Sequence, residues 1–391
     1  MPSIVDMVDI LERLESKALH VKPARCVKVR NRNASCMRCA KACTSGAISI
    51  EANALQIDAK KCTGCGTCTS VCPSSAILCD APSDAQLAAD IERSVSALDG
   101  EAVVICGRVA ARKTADVSKV AEVLCLGRVD TGSLVNAAAL GAHCVTLVDG
   151  GCATCKFRNA VEFMDTALAE ANELFSAWGS DVRVERTSTI PSIALAQEYD
   201  QATGGVSRRD FFTGVRSQAK TIATETASYA IEKELGVKRE SATLRDMLKV
   251  GEDGCLPHDS IPRHDDLLEN LFAMGDPDPN AILHVRQWGD VSIDAKECTT
   301  CGLCVTFCPT GALSKVMKEP EKKSGRSAKR ATEIDHIEFR LCDCVGCGLC
   351  ADVCTTQAIT LSHEIEASRV FELEPRETYG EKKRHSFGGA W

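Results

Sequence analysis

The chain has 391 residues, room for two to three domains with cores of their own. It is 45% hydrophobic and 26% charged, with a formal net charge of −8 and only 4% aromatic residues. That composition excludes a coiled coil or a membrane protein and argues against nucleic acid as the main partner. The outlier is cysteine, at 24 residues. Disulfide scaffolds are small and secreted, so these thiols are expected to stay reduced, in a cytoplasmic setting, and to bind something.

In chain order, Ser3 to Leu19 reads as an amphipathic helix, with Ile4, Met7, Val8, Leu11 and Leu14 on one face. Ser3-x-x-Asp6 at its start resembles a capping box. The early acids Asp6 and Asp9 leave neither a basic leader nor an apolar run, so no signal peptide is expected. The least polar stretch, Leu134 to Val148, is short and broken by Asn136 and His143, so no direct membrane span is expected.

The cysteines then begin to repeat. Cys36-x2-Cys39-x3-Cys43, with Cys26 upstream, precedes Cys62-x2-Cys65-x2-Cys68-x3-Cys72-Pro73. The fuller pattern recurs as Cys298-x2-Cys301-x2-Cys304-x3-Cys308-Pro309 and as Cys344-x2-Cys347-x2-Cys350-x3-Cys354. Three thiolates at steps of three, on a loop curled around a point, can reach three irons of one cubane. The fourth cysteine is expected to open a short helix leading to a neighbouring cubane, with the following proline in the first helical position. Glycines inside the loops (Gly64, Gly66, Gly302, Gly346, Gly348) let backbone N–H groups turn toward an anionic cluster. All-cysteine zinc sites, the alternative, use two separated C-x2-C pairs without the x3 step to Cys-Pro.

The pattern resembles bacterial two-cluster [4Fe–4S] ferredoxins, and does so at both ends of the chain. Carried over residue by residue, the resemblance implies four sets of ligands. They are Cys26, Cys36, Cys39 and Cys72; Cys62, Cys65, Cys68 and Cys43; Cys298, Cys301, Cys304 and Cys354; and Cys344, Cys347, Cys350 and Cys308. The chain departs from the family in three ways. Cys26 and Cys36 are separated by nine residues instead of two, neither Cys43 nor Cys354 is followed by proline, and Cys342 stands near Cys344 as a competing ligand.

Between the two ends, residues 102–106, 121–126, 144–149 and 182–184 read as strands, and 131–142 and 158–178 as helices. Such alternation implies a mostly parallel sheet, whose ligands sit outside the carboxyl ends of the strands. Cys106, Cys125, Cys152 and Cys155 fall at or just past those ends. They are expected either to form a site, a fifth cluster of [2Fe–2S] type, or to be small buried residues, a common fate of cysteine. Cys144 opens a strand and reads as a buried small hydrophobe.

The run Val123-Leu124-Cys125-Leu126-Gly127-Arg128-Val129-Asp130 is followed by Gly141-Ala142-His143, Asp149-Gly150-Gly151-Cys152 and Arg158-Asn159-Ala160. Together these resemble the delta subunit of methyl-viologen-reducing hydrogenases. The resemblance implies a [2Fe–2S] cluster and electron passage between a hydrogenase or formate dehydrogenase and a heterodisulfide reductase-like flavoprotein. Here the family's early cysteine pair is the single Cys106, and its later pair is more widely spaced than Cys152-x2-Cys155.

Residues 207–250 read as a helical bridge rich in Ala, Lys and Glu. Ser207-Arg208-Arg209-Asp210-Phe211-Phe212 mimics a twin-arginine export signal but lacks an apolar run after it, so it reads as the start of a helix. Cys255, His258 and His264 lie among Pro257 and Pro262, which suits a turn-rich linker more than a metal site. Lys315 to Arg330 is a basic insertion, read as a hairpin tip or as a docking patch for an acidic partner.

The expected fold class is multi-domain α+β and α/β. It comprises an N-terminal helix and two-cluster module (1–98), a central parallel α/β domain (99–200), a helical linker (201–286) and a second two-cluster module (287–391). The expected role is a polyferredoxin, wiring a hydrogenase, formate dehydrogenase or heterodisulfide reductase-like subunit to an acceptor in an anaerobic complex. Two other readings stay open: a disulfide reductase working through the Cys152/Cys155 dithiol, and a cluster-based redox sensor. The sequence has no Gly-x-Gly-x-x-Gly and no P-loop, so a flavin or nicotinamide site and a separate catalytic set are not expected.

Overall fold

The computed structural model describes residues 19–51, 53–196, 254–318 and 334–378. The helix expected at the N-terminus (apart from Leu19), the Arg208-Arg209 motif, the 207–250 bridge and the insertion beyond Lys318 lie outside the described residues. Met1–Leu195 and Val250–Trp391 form one compact unit, and Ala196–Lys249 a second. Of the described residues, only Ala196 belongs to the second unit. Among the described residues no helix is long and apolar enough to cross a membrane.

Each cysteine motif builds the same small unit. A loop leads into a helix of four or five residues: Arg38–Ala42, Thr67–Ser70, Leu303–Phe307 or Leu349–Asp352. The helix carries the third cysteine, and the fourth follows its end. Five residues after that fourth cysteine a strand begins, at Ile48, Ile77, Leu313 and Ile359. The fourth cysteine therefore closes a helix, contrary to the expectation that it opens one. At two of the four a proline follows, Pro73 and Pro309, and cannot continue a helix; at Cys43 and Cys354 the helix ends in the same place without one. Gly66, Gly302 and Gly348 cap the helix starts at φ of 77°, 72° and 76°, the left-handed region that glycine enters without strain.

The strands close each module in the same way. In the N-terminal one, Leu19–Val21 pairs antiparallel with Ile77–Cys79, and Ile48–Glu51 with Ala54–Ile57. At the other end, Asp290–Ile293 pairs with Ile359–Ser362, and Leu313–Met317 with Ile334–Phe339. The duplication in sequence is thus a duplication in topology.

The central sheet has four parallel strands in the order Ala121–Val123, Glu101–Cys106, Cys144–Val148, Arg183–Thr187. Its inner strands read Ala-Val-Val-Ile-Cys and Cys-Val-Thr-Leu-Val and are buried on both faces, as parallel strands are. Helix Asp84–Ala97, opened by a Ser83/Gln86 capping box, lays Leu87, Ile91 and Val95 into the sheet's core. Helices Thr131–Ala139, capped by Asp130, and Val161–Ala177 complete the cover.

Residues from the expected linker join this core. Helix Pro262–Ala273 packs on Thr131–Ala139, burying Leu267 and Leu271. Trp178 donates from Nε1 to the carbonyls of Leu271 (3.0 Å) and Gly275 (2.9 Å). Buried Glu170 then ties the sheet's last helix to the C-terminal module. It accepts from Arg286 Nε (2.6 Å) and Nη2 (3.1 Å), Gln287 Nε2 (2.9 Å) and Thr131 Oγ1 (2.8 Å).

Burial pushes the Glu170 carboxyl up, but Arg286, Gln287 and Thr131 outweigh it and hold the group below the usual range. A carboxylate depressed on folding contributes stability above its unfolded pKa of about 4.3 and loses it as pH falls through the folded value. Glu170→Ala is expected to lower the unfolding free energy by about 3 kcal/mol at neutral pH, by leaving Arg286 half-buried and unpaired. In denaturant titrations the gap to wild type should close below about pH 4.

Candidate metal centres

Cys26 ends the turn Pro23–Arg25 and caps the helix Val27–Arg30. That helix takes up the long spacer before Cys36, so nine intervening residues return the chain to where a ferredoxin needs only two. The thiols of Cys26, Cys36, Cys39 and Cys72 stand together. Burial pushes Cys39 up to about 12, with Cys72, Cys36 and Cys26 adding to the rise. Cys26 is raised in the same way, by burial first, against N–H groups of Val29 and Lys28 that lower it.

The other three sets assemble likewise. Burial raises Cys68, reinforced by Cys65, Cys43 and Cys62 and also by Cys39 of the first set. It pushes Cys304 up to about 12, with Cys298, Cys301 and Cys354 adding and the Val305 N–H opposing. Cys347 rises to about 12 through burial and then Cys308, while Cys350 rises through burial, Cys347, Cys344 and Cys308. Cys342, the possible competitor, turns its sulfur toward Asp343 Oδ1 at 3.6 Å.

Every fourth cysteine receives a repeated pattern of polar contacts. A hydroxyl two residues on lies near its sulfur: Ser45 at 3.7 Å from Cys43, Ser74 at 3.9 Å from Cys72, Thr310 and Thr356 at 3.7 Å from Cys308 and Cys354. Backbone N–H groups of Ala47, Ala76 and Ala358 donate to Cys43, Cys72 and Cys354, each at 3.2 Å. Burial pushes Cys43 and Cys354 up, but these donors outweigh it and hold both thiols below their ordinary range. Donors of this kind stabilise a thiolate and tune whatever it ligates.

Four thiols with N–H and O–H donors on their sulfurs, and no histidine or carboxylate among them, are the donor chemistry of an iron–sulfur cluster. Among the described residues no group of three or more His, Cys, Asp or Glu closes on a point able to hold a single ion.

The central thiols also converge. Cys106, Cys125, Cys152 and Cys155 line a cavity of about 20 Å³ with Leu124, Gly150 and Phe157. Burial pushes Cys125 up to about 12, with Cys65, Cys152 and Cys155 adding and the Gly127 N–H opposing. Cys152 is raised by burial, Asp149, Cys106 and Cys155, against Arg186. Arg108 clamps the loop by donating to Gly151 O (3.0 Å) and Thr154 Oγ1 (3.3 Å). Cys144 is buried at the opposite end of its strand, beside Thr146. His264 is buried too, its Nε2 2.6 Å from the Cys342 carbonyl oxygen.

Sequence reasoning did not single out Arg30, Arg38, Ser35 or Asp352, which join the two modules. The only signal was a cluster of basic residues around Cys26 and Cys39.

Comparison with known proteins bears on the two ends. Residues 32–76 and 297–358 match the family described as 4Fe-4S dicluster domain. A curated relative, one subunit of the ion-translocating oxidoreductase complex of Methanosarcina acetivorans, is 45% identical over 42 residues. The match covers 11% of this chain and 16% of that protein. Together the matches indicate [4Fe–4S] clusters and support an iron–sulfur electron-transfer role.

Anaerobically isolated protein is expected to hold about 16 irons and as much acid-labile sulfide from four cubanes. Stoichiometric zinc without sulfide would contradict this. Cys72→Ser should remove about four of those irons.

Proposed function

We propose that this chain is a polyferredoxin-type subunit with four [4Fe–4S] clusters. It carries electrons between a catalytic subunit of hydrogenase, formate dehydrogenase or heterodisulfide reductase-like type and an acceptor, inside an anaerobic multi-subunit complex. The observation that carries this reading is the packing of four four-thiol sets and a fifth thiol group into one compact unit. A ferredoxin acting alone needs one such module. Bound clusters supply reversible one-electron storage. The cysteines hold them, the hydroxyls and N–H groups at each fourth cysteine stabilise negative charge, and the apolar packing around the loops keeps water away. The relative's printed name, a subunit of an oxidoreductase complex, agrees with a life among partner subunits. In the central domain the resemblance to the hydrogenase delta subunit supports docking of a redox partner and a [2Fe–2S] cluster on Cys106, Cys125, Cys152 and Cys155.

The second reading, a disulfide reductase, rests on one difference: Cys152 and Cys155 are half-buried whereas Cys106 and Cys125 are buried. Replacing Cys152 and Cys155 by Ser separates the two. Loss of about two irons and of one EPR signal is the expected outcome. Full cluster content with abolished disulfide turnover would favour the reductase instead.

A further inference from the structure

In sequence the central domain lies between the two ferredoxin-like modules. In space the order differs, and four contacts establish it. Cys65 of the N-terminal module and Cys125 of the central group share one apolar cluster with Phe157 and Ala160, against which Cys155 packs. The surfaces there interlock. A Cβ on Gly127 would lie 2.5 Å from Thr67 Oγ1 and 2.8 Å from Ala160 Cβ, and Ser70 Oγ donates to the Gly127 carbonyl at 2.7 Å. Cys39 and Cys68, from the two N-terminal sets, sit in a second cluster that also receives Cys43 and Cys62.

The third contact joins the modules. Cys36 and Cys347 pack against the same four residues, Val27, Ala34, Leu349 and Val353. Arg30, 4% exposed, crosses the junction and donates to four carbonyls: Phe307 and Ala24 at 3.0 Å, Pro257 and Cys308 at 2.9 Å. Ser35 donates from its N–H and Oγ to Asp352 Oδ2 at 2.7 and 2.9 Å, and Arg38 Nη2 donates to the Gly346 carbonyl at 3.0 Å. The fourth contact lies within the C-terminal module, where helix Leu303–Phe307, which carries Cys304, packs against helix Leu349–Asp352, which carries Cys350.

We propose that the five thiol groups form a single file with the N-terminal module in its middle. The order is the central group, Cys43/Cys62/Cys65/Cys68, Cys26/Cys36/Cys39/Cys72, Cys308/Cys344/Cys347/Cys350, and Cys298/Cys301/Cys304/Cys354. Cys301, in the last set of the file, is the one exposed cysteine of the 24, all of them among the described residues. In a single file donor and acceptor, each a one-electron centre of a partner subunit, meet the chain at opposite ends. Clusters held by these sets would supply the one-electron couples, each oxidised as the next is reduced. The inference rests on the electron-transfer reading and adds the order of its sites.

The test is EPR on the full chain, loaded with iron and sulfide and fully reduced, comparing two double variants. Cys39→Ser with Cys72→Ser empties a middle set, and Cys298→Ser with Cys301→Ser empties an end set; each should lose about four irons. The middle variant is expected to leave the Cys43/Cys62/Cys65/Cys68 signal coupled to the central group alone and uncoupled from the C-terminal pair. The end variant should leave it coupled as in wild type. Two independent pairs in wild type, or the same response in both variants, would overturn the file alone. A loaded chain that takes up no electron would overturn the electron-transfer reading and the file with it. Should a variant fail to hold iron, the junction is probed directly by carbodiimide coupling of the S35K variant. An isopeptide link from position 35 to Asp352 supports the file, and its absence overturns it.

Discussion

Thiols held in fours inside a protein repel one another as they ionise, and burial makes each ionisation harder still. Cys39, Cys304 and Cys347 are pushed up to about 12 for these reasons. Such groups stay protonated at neutral pH unless a cationic centre takes their charge. Each module is built around that need. Its loops turn at left-handed glycines and its fourth cysteine collects hydroxyl and N–H donors, and in the N-terminal module the apolar cluster is small. Iron–thiolate bonds then replace much of what a larger core would supply, so folding of the modules and cluster binding are coupled.

The central domain meets a different requirement. Its parallel sheet buries enough aliphatic surface to be ordered by packing, and it serves the modules as a scaffold. Arg263 pairs with Asp84 (2.9 Å) and Asp130 (3.3 Å) while donating to the Thr69 carbonyl at 2.5 Å, and Arg128 pairs with the same Asp84. Burial pushes Asp84 up, yet the two arginines outweigh it and keep the carboxylate charged. One helix start on the sheet thereby fixes the loop carrying Cys65 and Cys68 relative to the loop carrying Cys125.

Much of this was legible in the sequence. Thiol spacing shows which cysteines stand together because the loop that carries three of them is local, and a step of three residues leaves few ways to curl. The strands at 101–106 and 144–148 were legible because a fully buried parallel strand is a continuous aliphatic run. Other features were not. Whether nine residues could bridge Cys26 to Cys36 depended on a four-residue helix with no strong signal of its own. The place of the fourth cysteine was hidden because a following proline can start a helix or stop one, and Cys43 and Cys354, which have no such proline, close their helices all the same. Arg30 looks like any surface cation in sequence, and its four carbonyl partners come from three separate segments. Pro262–Ala273 has the composition of an exposed helix, yet it is recruited into the sheet's core through Leu267 and Leu271.

The central claim is that the chain is an electron carrier with many sites in one body. The most direct measurement is an anaerobic potentiometric titration of the full chain followed by EPR spin counting. The account predicts about five unpaired spins per chain at full reduction, one from each ferredoxin-type set and one from the central group, reached reversibly and magnetically coupled. A loaded protein that shows no paramagnetic centre on reduction, or only a single isolated spin, would contradict it.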